Sequence, residues 1–278
     1  MLPRHILGGI LLRIVRRTCI HAALILAGGL AVATAHAQQA GRGALEIGLR
    51  PVAPYVIQKP DGSLGGLEYE LIAAAMQAGG FDFHAELVPF GRLSEDFRHG
   101  MFDGIAPANA AMGLSGCLTR TLLVYRNTAF ALSGRNLPLQ AVADLAGYDV
   151  MAFQNAHRIL GGAMADVQAR NSRYREVANQ ILQVRALFSG RTDVVIMDRR
   201  IFRHLMHSPE IGVDTSAALQ EFALFPPTEY SVAFRRAELC ATFDRGLETI
   251  RRNGSYDQIL RRWEGGPQAQ NGAVRNPG

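Results

Sequence analysis

The stretch TDVVIMDRRIF, residues 192–202, decides the architecture. Four apolar residues, Val194 to Met197, read as a buried strand. The run ends on a carboxylate, Asp198, and passes directly into RRIFRHLMH (199–207), which reads as a helix. A strand handing over to a helix in this way belongs to a β-α-β unit. In open α/β sheets, ligands collect at the carboxyl ends of such strands. A carboxylate there is costly unless it meets a cation or hydrogen-bond donors. Asp198 is therefore a candidate ligand residue, with two competing roles: cap of the helix that starts at Arg199, or partner of a nearby arginine.

The same rhythm extends in both directions. ALEIGLR (44–50) reads as a strand, and LEYELIAAAMQAGG (67–80) as a helix stopped by glycines. DFHAELV (82–88) alternates as a strand does, GRLSEDFRHG (91–100) is a short helix and FDGIAP (102–107) a strand. A second series follows: a strand within 144–153, a helix over 157–170, a strand at 174–179 and a helix over 181–190. The long extended stretch 118–134 separates the two series. Repeated β-α units imply mostly parallel sheets with helices on their faces, and two series imply two lobes. The chain then gives two amphipathic helices. Leu239, Phe243, Leu247 and Ile250 share one face of the first; Tyr256, Ile259, Leu260 and Trp263 share one face of the second. Asn253–Gly254–Ser255 reads as a helix stop followed by a capping serine. The residues after Gly265 read as a flexible tail.

The first 37 residues read as a secretory signal peptide. Arg4, Arg13, Arg16 and Arg17 precede an apolar run, and Ala35–His36–Ala37 is a small-x-small cleavage site. Arg16–Arg17 raises a twin-arginine signal, but the residues that follow fit it poorly. Without this segment the chain carries 25 basic against 24 acidic residues, so the pI of about 9.4 is no argument for nucleic-acid binding. Cys117 and Cys240 remain beyond it. In an oxidising periplasm they can pair, or they can stay as two buried thiols. Neither has a Cys or His neighbour at ligand spacing, so no metal site and no cofactor are expected.

Six segments, in order, resemble the bacterial extracellular solute-binding proteins of family 3, the periplasmic amino-acid-type receptors of ABC importers. They are APY (53–55), DGSLGGLEYELIAAAM (61–76), FDGIAPANAA (102–111), VADLAGYDVMAFQNA (142–156), SGRTDVVIMD (189–198) and the stretch 229–263. The resemblance covers about residues 44–264. It implies a two-lobed periplasmic binding protein fold of type II: residues 44–130 plus 230–264 as lobe one, 134–225 as lobe two, and hinge strands near Ala129–Leu132 and Tyr230–Ala233. It also implies a solute held between the lobes.

The resemblance assigns candidate ligand residues. Asp198 would take the solute's ammonium group. Phe90 and Tyr55 would supply aromatic walls for flat or cationic groups; ordinary core packing is the alternative for both. The loop Ala108–Ser115 departs from the family. Where the family places a carboxylate-clamping arginine this chain has Ser115, which cannot make a bidentate fork. Arg120 would replace it only in a remodelled loop. Across the cleft, the family's bare helix N-terminus is replaced by a turn carrying Gln154, Asn155, His157 and Arg158. An arginine there opposes the helix dipole, so Arg158 and His157 are candidate anion contacts or plain solvated side chains. Glu229, before the hinge strand, either contacts ligand or braces the hinge.

The implied function is capture of a small polar, amine-containing solute by a monomeric receptor that delivers it to an inner-membrane ABC permease. No nucleophile elbow, zinc pattern or phosphate loop points to an enzyme. Two alternatives stand: an accessory protein of a periplasmic oxidoreductase or sensor system, and a periplasmic dehydratase using Asp198, Glu229 and His157 as acid and base.

Overall fold

A computed structural model describes residues 43–264. The segment read as a signal peptide and the residues read as a tail after Gly265 lie outside the described residues. Two mixed sheets carry the chain. The first has the order β4-β1-β5-β13-β6, with β7 paired to β13. Its strands are β1 (Leu45–Leu49), β4 (Phe83–Leu87), β5 (Gly104–Ala108), β6 (Cys117–Leu118), β7 (Leu123–Tyr125) and β13 (Thr228–Phe234). β1 runs parallel to β4 and β5, while β13 returns antiparallel. The second sheet has the order β10-β9-β11-β8-β12. It comprises β8 (Asn127–Leu132), β9 (Val150–Phe153), β10 (Tyr174–Val177), β11 (Val194–Asp198) and β12 (Leu219–Phe222). β9 is parallel to β10 and β11, and β8 is antiparallel to β11. A short hairpin, β2 (Ile57–Gln58) with β3 (Leu64–Gly65), follows β1.

Both sheets show the β-α rhythm read from the sequence, because their central strands are buried on both faces: all five positions of β5 and of β11 are buried. Helix α1 (Leu67–Gly79) follows the hairpin, and α2 (Phe90–Arg98) follows β4. In the second sheet, α3 (Ala156–Ile159) and α4 (Gly162–Arg170) follow β9, α5 (Ile181–Phe188) follows β10 and α6 (Arg199–Met206) follows β11. The last two helices, α7 (Ala237–Arg252) and α8 (Ser255–Glu264), pack on α1 beside the first sheet. Gly246 of α7 permits this approach, since a Cβ there would stand 2.0 Å from the Ala75 carbonyl oxygen. Cys117 and Cys240 form a disulfide that ties β6 to α7, with Cα atoms 6.3 Å apart.

Three details differ from the sequence reading. The helix expected over 157–170 is two helices, broken at Gly161, whose φ of 91° leaves the helical region. The cap of α8 is not Ser255: the Asn253 side chain accepts the Ser255 amide at 3.0 Å, and the chain turns at Gly254. The crossing between the sheets falls at Arg126, between β7 and β8, so the stretch 129–132 lies within a strand of the second sheet. Among the described residues, no helix is long and apolar enough to cross a membrane.

Candidate functional site

The carboxyl ends of β1 and β11 face one another through side chains. Tyr55 follows β1 and is fully buried, and its hydroxyl donates to Asp198 Oδ1 at 2.8 Å. Gly66, at φ 109°, lets the chain pass close to the Tyr55 carbonyl, which accepts the Glu68 amide at 2.9 Å. This fixes Tyr55 against the start of α1. The Tyr55 ring stacks on Tyr125 with centroids 4.1 Å apart, and Tyr125 meets Tyr230 at 4.6 Å. Each such aromatic pair adds about 1 kcal/mol beyond buried area.

Asp198 is the N-cap of α6. It accepts the amides of Arg200 at 2.9 Å and Ile201 at 3.2 Å, and the amide of Arg126 at 2.8 Å. Burial raises its pKa, and the donors from Tyr55, Arg126, Ile201 and the Arg200 charge oppose that rise. Burial, and then the Asp198 charge, hold the Tyr55 hydroxyl far above its ordinary pKa, so it remains a donor. The capping role and a bond to Tyr55 thus account for the hydrogen-bonding capacity of Asp198 without a solute.

Arg50, the first residue past β1, is nearly buried. Its guanidinium lies over the Phe90 ring, 4.6 Å from the centroid, and donates to Gln180 Oε1 at 3.0 Å. Glu68 lies nearby, fully buried, with neither oxygen in hydrogen-bond geometry to a described residue. Burial pushes its pKa up to about 8, against the pull of Arg50 and of the Tyr125 hydroxyl. Glu68 is therefore mostly a neutral acid at neutral pH.

The turn after β9 is satisfied from within. Glu176 on β10 accepts the Asn155 amide at 2.7 Å, the His157 amide at 2.9 Å and the Tyr174 hydroxyl at 2.6 Å. Its Oε1 also lies 2.8 Å from His157 Nδ1. Burial disfavours the Glu176 charge, but these hydrogen bonds outweigh it and hold the pKa below the usual range. Asn155 adopts the left-handed conformation that asparagine tolerates, with φ 67°, and this aims both amides at Glu176. The backbone amides of this turn thus hold a carboxylate of the chain itself.

Among the described residues, two of the cavities lie beside this centre. One, of about 450 Å³, is lined by Phe90, Arg98, His99, Gln154, Asn155 and Arg158, among others. It brings together four residues named in the sequence reading: Phe90 from α2, Gln154 and Asn155 from the turn after β9, and Arg158 from α3. The other, of about 510 Å³, is lined by Asn109, Thr119, Arg120, Thr121, Glu229 and Ser231, among others. Glu229 accepts the Thr121 hydroxyl there at 2.7 Å. The structure keeps the remaining candidates apart from both cavities. Tyr55 and Asp198 are buried together, Ala108 is buried in β5, and Ser115 is exposed on the loop before β6. Asp198, His157 and Glu229 do not share either cavity.

The sequence reading passed over Arg50, Glu68 and Glu176. Arg50 was within reach, because it ends its strand as Asp198 does. Glu68 is an acid on the buried side of an apolar helix start. Glu176 carried little local signal: Tyr174 shares its strand, but its other partners, Asn155 and His157, lie on the turn after β9.

No family model and no curated protein matches this chain. Solved structures do. The arginine-, lysine-, histidine-binding protein ArtJ from Geobacillus stearothermophilus is 18% identical with a TM-score of 0.65, over 80% of this chain and 96% of that one. A histidine kinase sensor domain with similarity to periplasmic binding proteins is 20% identical with a TM-score of 0.65, over 79% and 95%. The ancestral amino-acid-binding protein AncCDT-1, a precursor of cyclohexadienyl dehydratase, is 14% identical with a TM-score of 0.64, over 81% and 97%. The fold is that of the two-lobed periplasmic binding proteins. At these identities the likeness establishes the fold and leaves function to the site.

Proposed function

We propose that this chain is a periplasmic receptor that captures a small polar, amine-containing solute between two lobes, one around each sheet, and delivers it to an inner-membrane ABC permease. The observation that carries this reading is the cavity of about 450 Å³, where Phe90 from one lobe meets Gln154 and Arg158 from the other. A solute touching both lobes favours their closed arrangement. The similar fold of proteins whose names record arginine, lysine or histidine binding supports an amine-bearing solute. In this reading the receptor acts as a monomer exported through its signal peptide and binds its solute without turnover; in support, the acid–base set considered for a dehydratase, Asp198, Glu229 and His157, shares neither of the two described cavities.

The test is a melting-temperature screen of the purified protein against amino acids, amines, organic acids and small peptides. A solute at 100 times its dissociation constant adds about 2.7 kcal/mol, which moves the transition by several degrees. A hit weakened by Phe90→Ala and Gln154→Ala supports the reading; a flat response across the library sinks it.

One observation favours a second reading, an accessory or sensor protein without transport. Asp198 is satisfied by Tyr55 and amides, and the turn after β9 by Glu176, so two amino-acid anchors are engaged internally. The fold likeness to a sensor domain points the same way. This reading expects no solute response and a co-purifying protein partner.

A further inference from the structure

We propose that the solute is an acid, and that Arg98 and Arg158 grip its anionic group from opposite sides of the cavity of about 450 Å³. This rests on the receptor reading above and adds the charge of the ligand and the residues that select it.

Arg98 is the last residue of α2, which follows the first sheet's β4; Arg158 lies in α3, which follows the second sheet's β9. Among the described residues neither forms an ion pair. Arg98 donates to the Met112 carbonyl at 3.2 Å, which leaves most of its guanidinium donors for another partner. Among the described residues lining the cavity, Glu95 is the one acidic side chain, set against these two guanidinium groups. Positive charge is therefore in excess, and a carboxylate is the ligand group that relieves it by charge-assisted, two-pronged hydrogen bonds. Glu95 provides one place for an amine on the same molecule. Ser94, Gln154 and Asn155 supply neutral polar groups, and Phe90 an apolar wall.

The other places for an anion in this region are closed. The amides of Asn155 and His157 are held by Glu176, and the clamp position of the resembling family is the exposed Ser115. Arg50 is covered by Phe90 and bonded to Gln180. An acid entering the cavity thus meets Arg98 and Arg158 first. Because these residues sit on elements of different sheets, the same acid would tie the two lobes together.

Titration calorimetry of the purified protein with L-glutamate, L-aspartate, glutarate and succinate tests this, with glutaramide and agmatine, which carry no carboxylate, as neutral and cationic counterparts. The expected result is binding of at least one acid but of neither counterpart. That binding weakens on the order of tenfold or more in Arg98→Ala and in Arg158→Ala, and falls in about 0.5 M salt. Both arginines are exposed, so the ligand-free melting temperature of each variant serves as the folding control. Binding of glutaramide or agmatine that both variants retain undiminished overturns the inference and leaves the receptor reading standing. An acid whose affinity ignores both substitutions overturns it equally. If nothing binds, from these probes or from the wider screen, both fall together.

Discussion

The Tyr55 hydroxyl donates a 2.8 Å hydrogen bond to Asp198, joining the segment after β1 to the junction of β11 and α6. Both groups are buried, so the bond forms in a medium where an unmade partner is costly. It is a direct link between the two sheets, parallel to the Arg50–Gln180 bond.

Tyr55→Phe keeps the ring stacked on Tyr125 and removes only the donor. Asp198 retains three amides, so the expected loss is about 1–3 kcal/mol, read as a lower midpoint in urea unfolding. Asp198→Ala should cost more, because it also strips the cap from α6, worth about 1 kcal/mol, and orphans the Tyr55 hydroxyl. Equal midpoints for Tyr55→Phe and the parent would show that the link contributes nothing to stability.

Glu68 makes stability fall with rising pH. Its folded pKa is about 8 against an ordinary 4.5, so the fold prefers the protonated acid. Below about pH 4.5 both states are protonated and there is no penalty. Between there and pH 8 the unfolded chain ionises while the folded chain does not, at up to about 1.4 kcal/mol per pH unit. Above pH 8 the loss levels off. Glu68→Gln removes this dependence. The gap in unfolding free energy between variant and parent should widen in favour of the variant from pH 5 to pH 8. Parallel curves for the two proteins would refute the assignment.

The disulfide links positions 123 residues apart and joins β6, at the edge of the first sheet, to α7. In the chain-entropy account a loop of this length is worth about 4–5 kcal/mol through the unfolded state. Cys117→Ser with Cys240→Ser should lower the melting temperature by ten degrees or more, on the order expected for such a loss. Reduction of the parent should reproduce the shift. A double variant that melts with the parent would remove the disulfide from any account of stability.

The fold was legible because it rests on local periodicity. Val194–Met197 had to be a buried strand, and the glycines after Ala78 had to end a helix. The sequence reading ran a single helix over 157–170, whereas the chain leaves the helical region at Gly161 and starts a second helix at Gly162. The site was less legible. Phe90, Gln154 and Arg158 do converge, since each follows the carboxyl end of a strand. Asp198 sits at the same kind of position, yet its partner Tyr55 lies 143 residues away and no local pattern announces that pairing. Arg50, Glu68 and Glu176 belong to the same class: their roles arise from tertiary neighbours that only the folded chain supplies.

Glu176 offers the sharpest check on how this turn is built. Its carboxylate holds the amides of Asn155 and His157, the His157 ring and the Tyr174 hydroxyl. Its folded pKa is depressed, so its contribution is fully present above the ordinary glutamate value of 4.5 and is lost as pH falls through the lower, folded value. Glu176→Gln keeps the shape but replaces the charge and one acceptor with an amide. At pH 7 it should destabilise the protein by about 1–3 kcal/mol, the scale for hydrogen bonds to a charged group. The difference from the parent should shrink steadily as pH falls below 4.5. The same substitution should leave the Tyr55–Asp198 link intact, so combining it with Tyr55→Phe should give additive losses. A pH-independent difference would mean that Glu176 acts through packing, and that the amides of Asn155 and His157 do not depend on its charge.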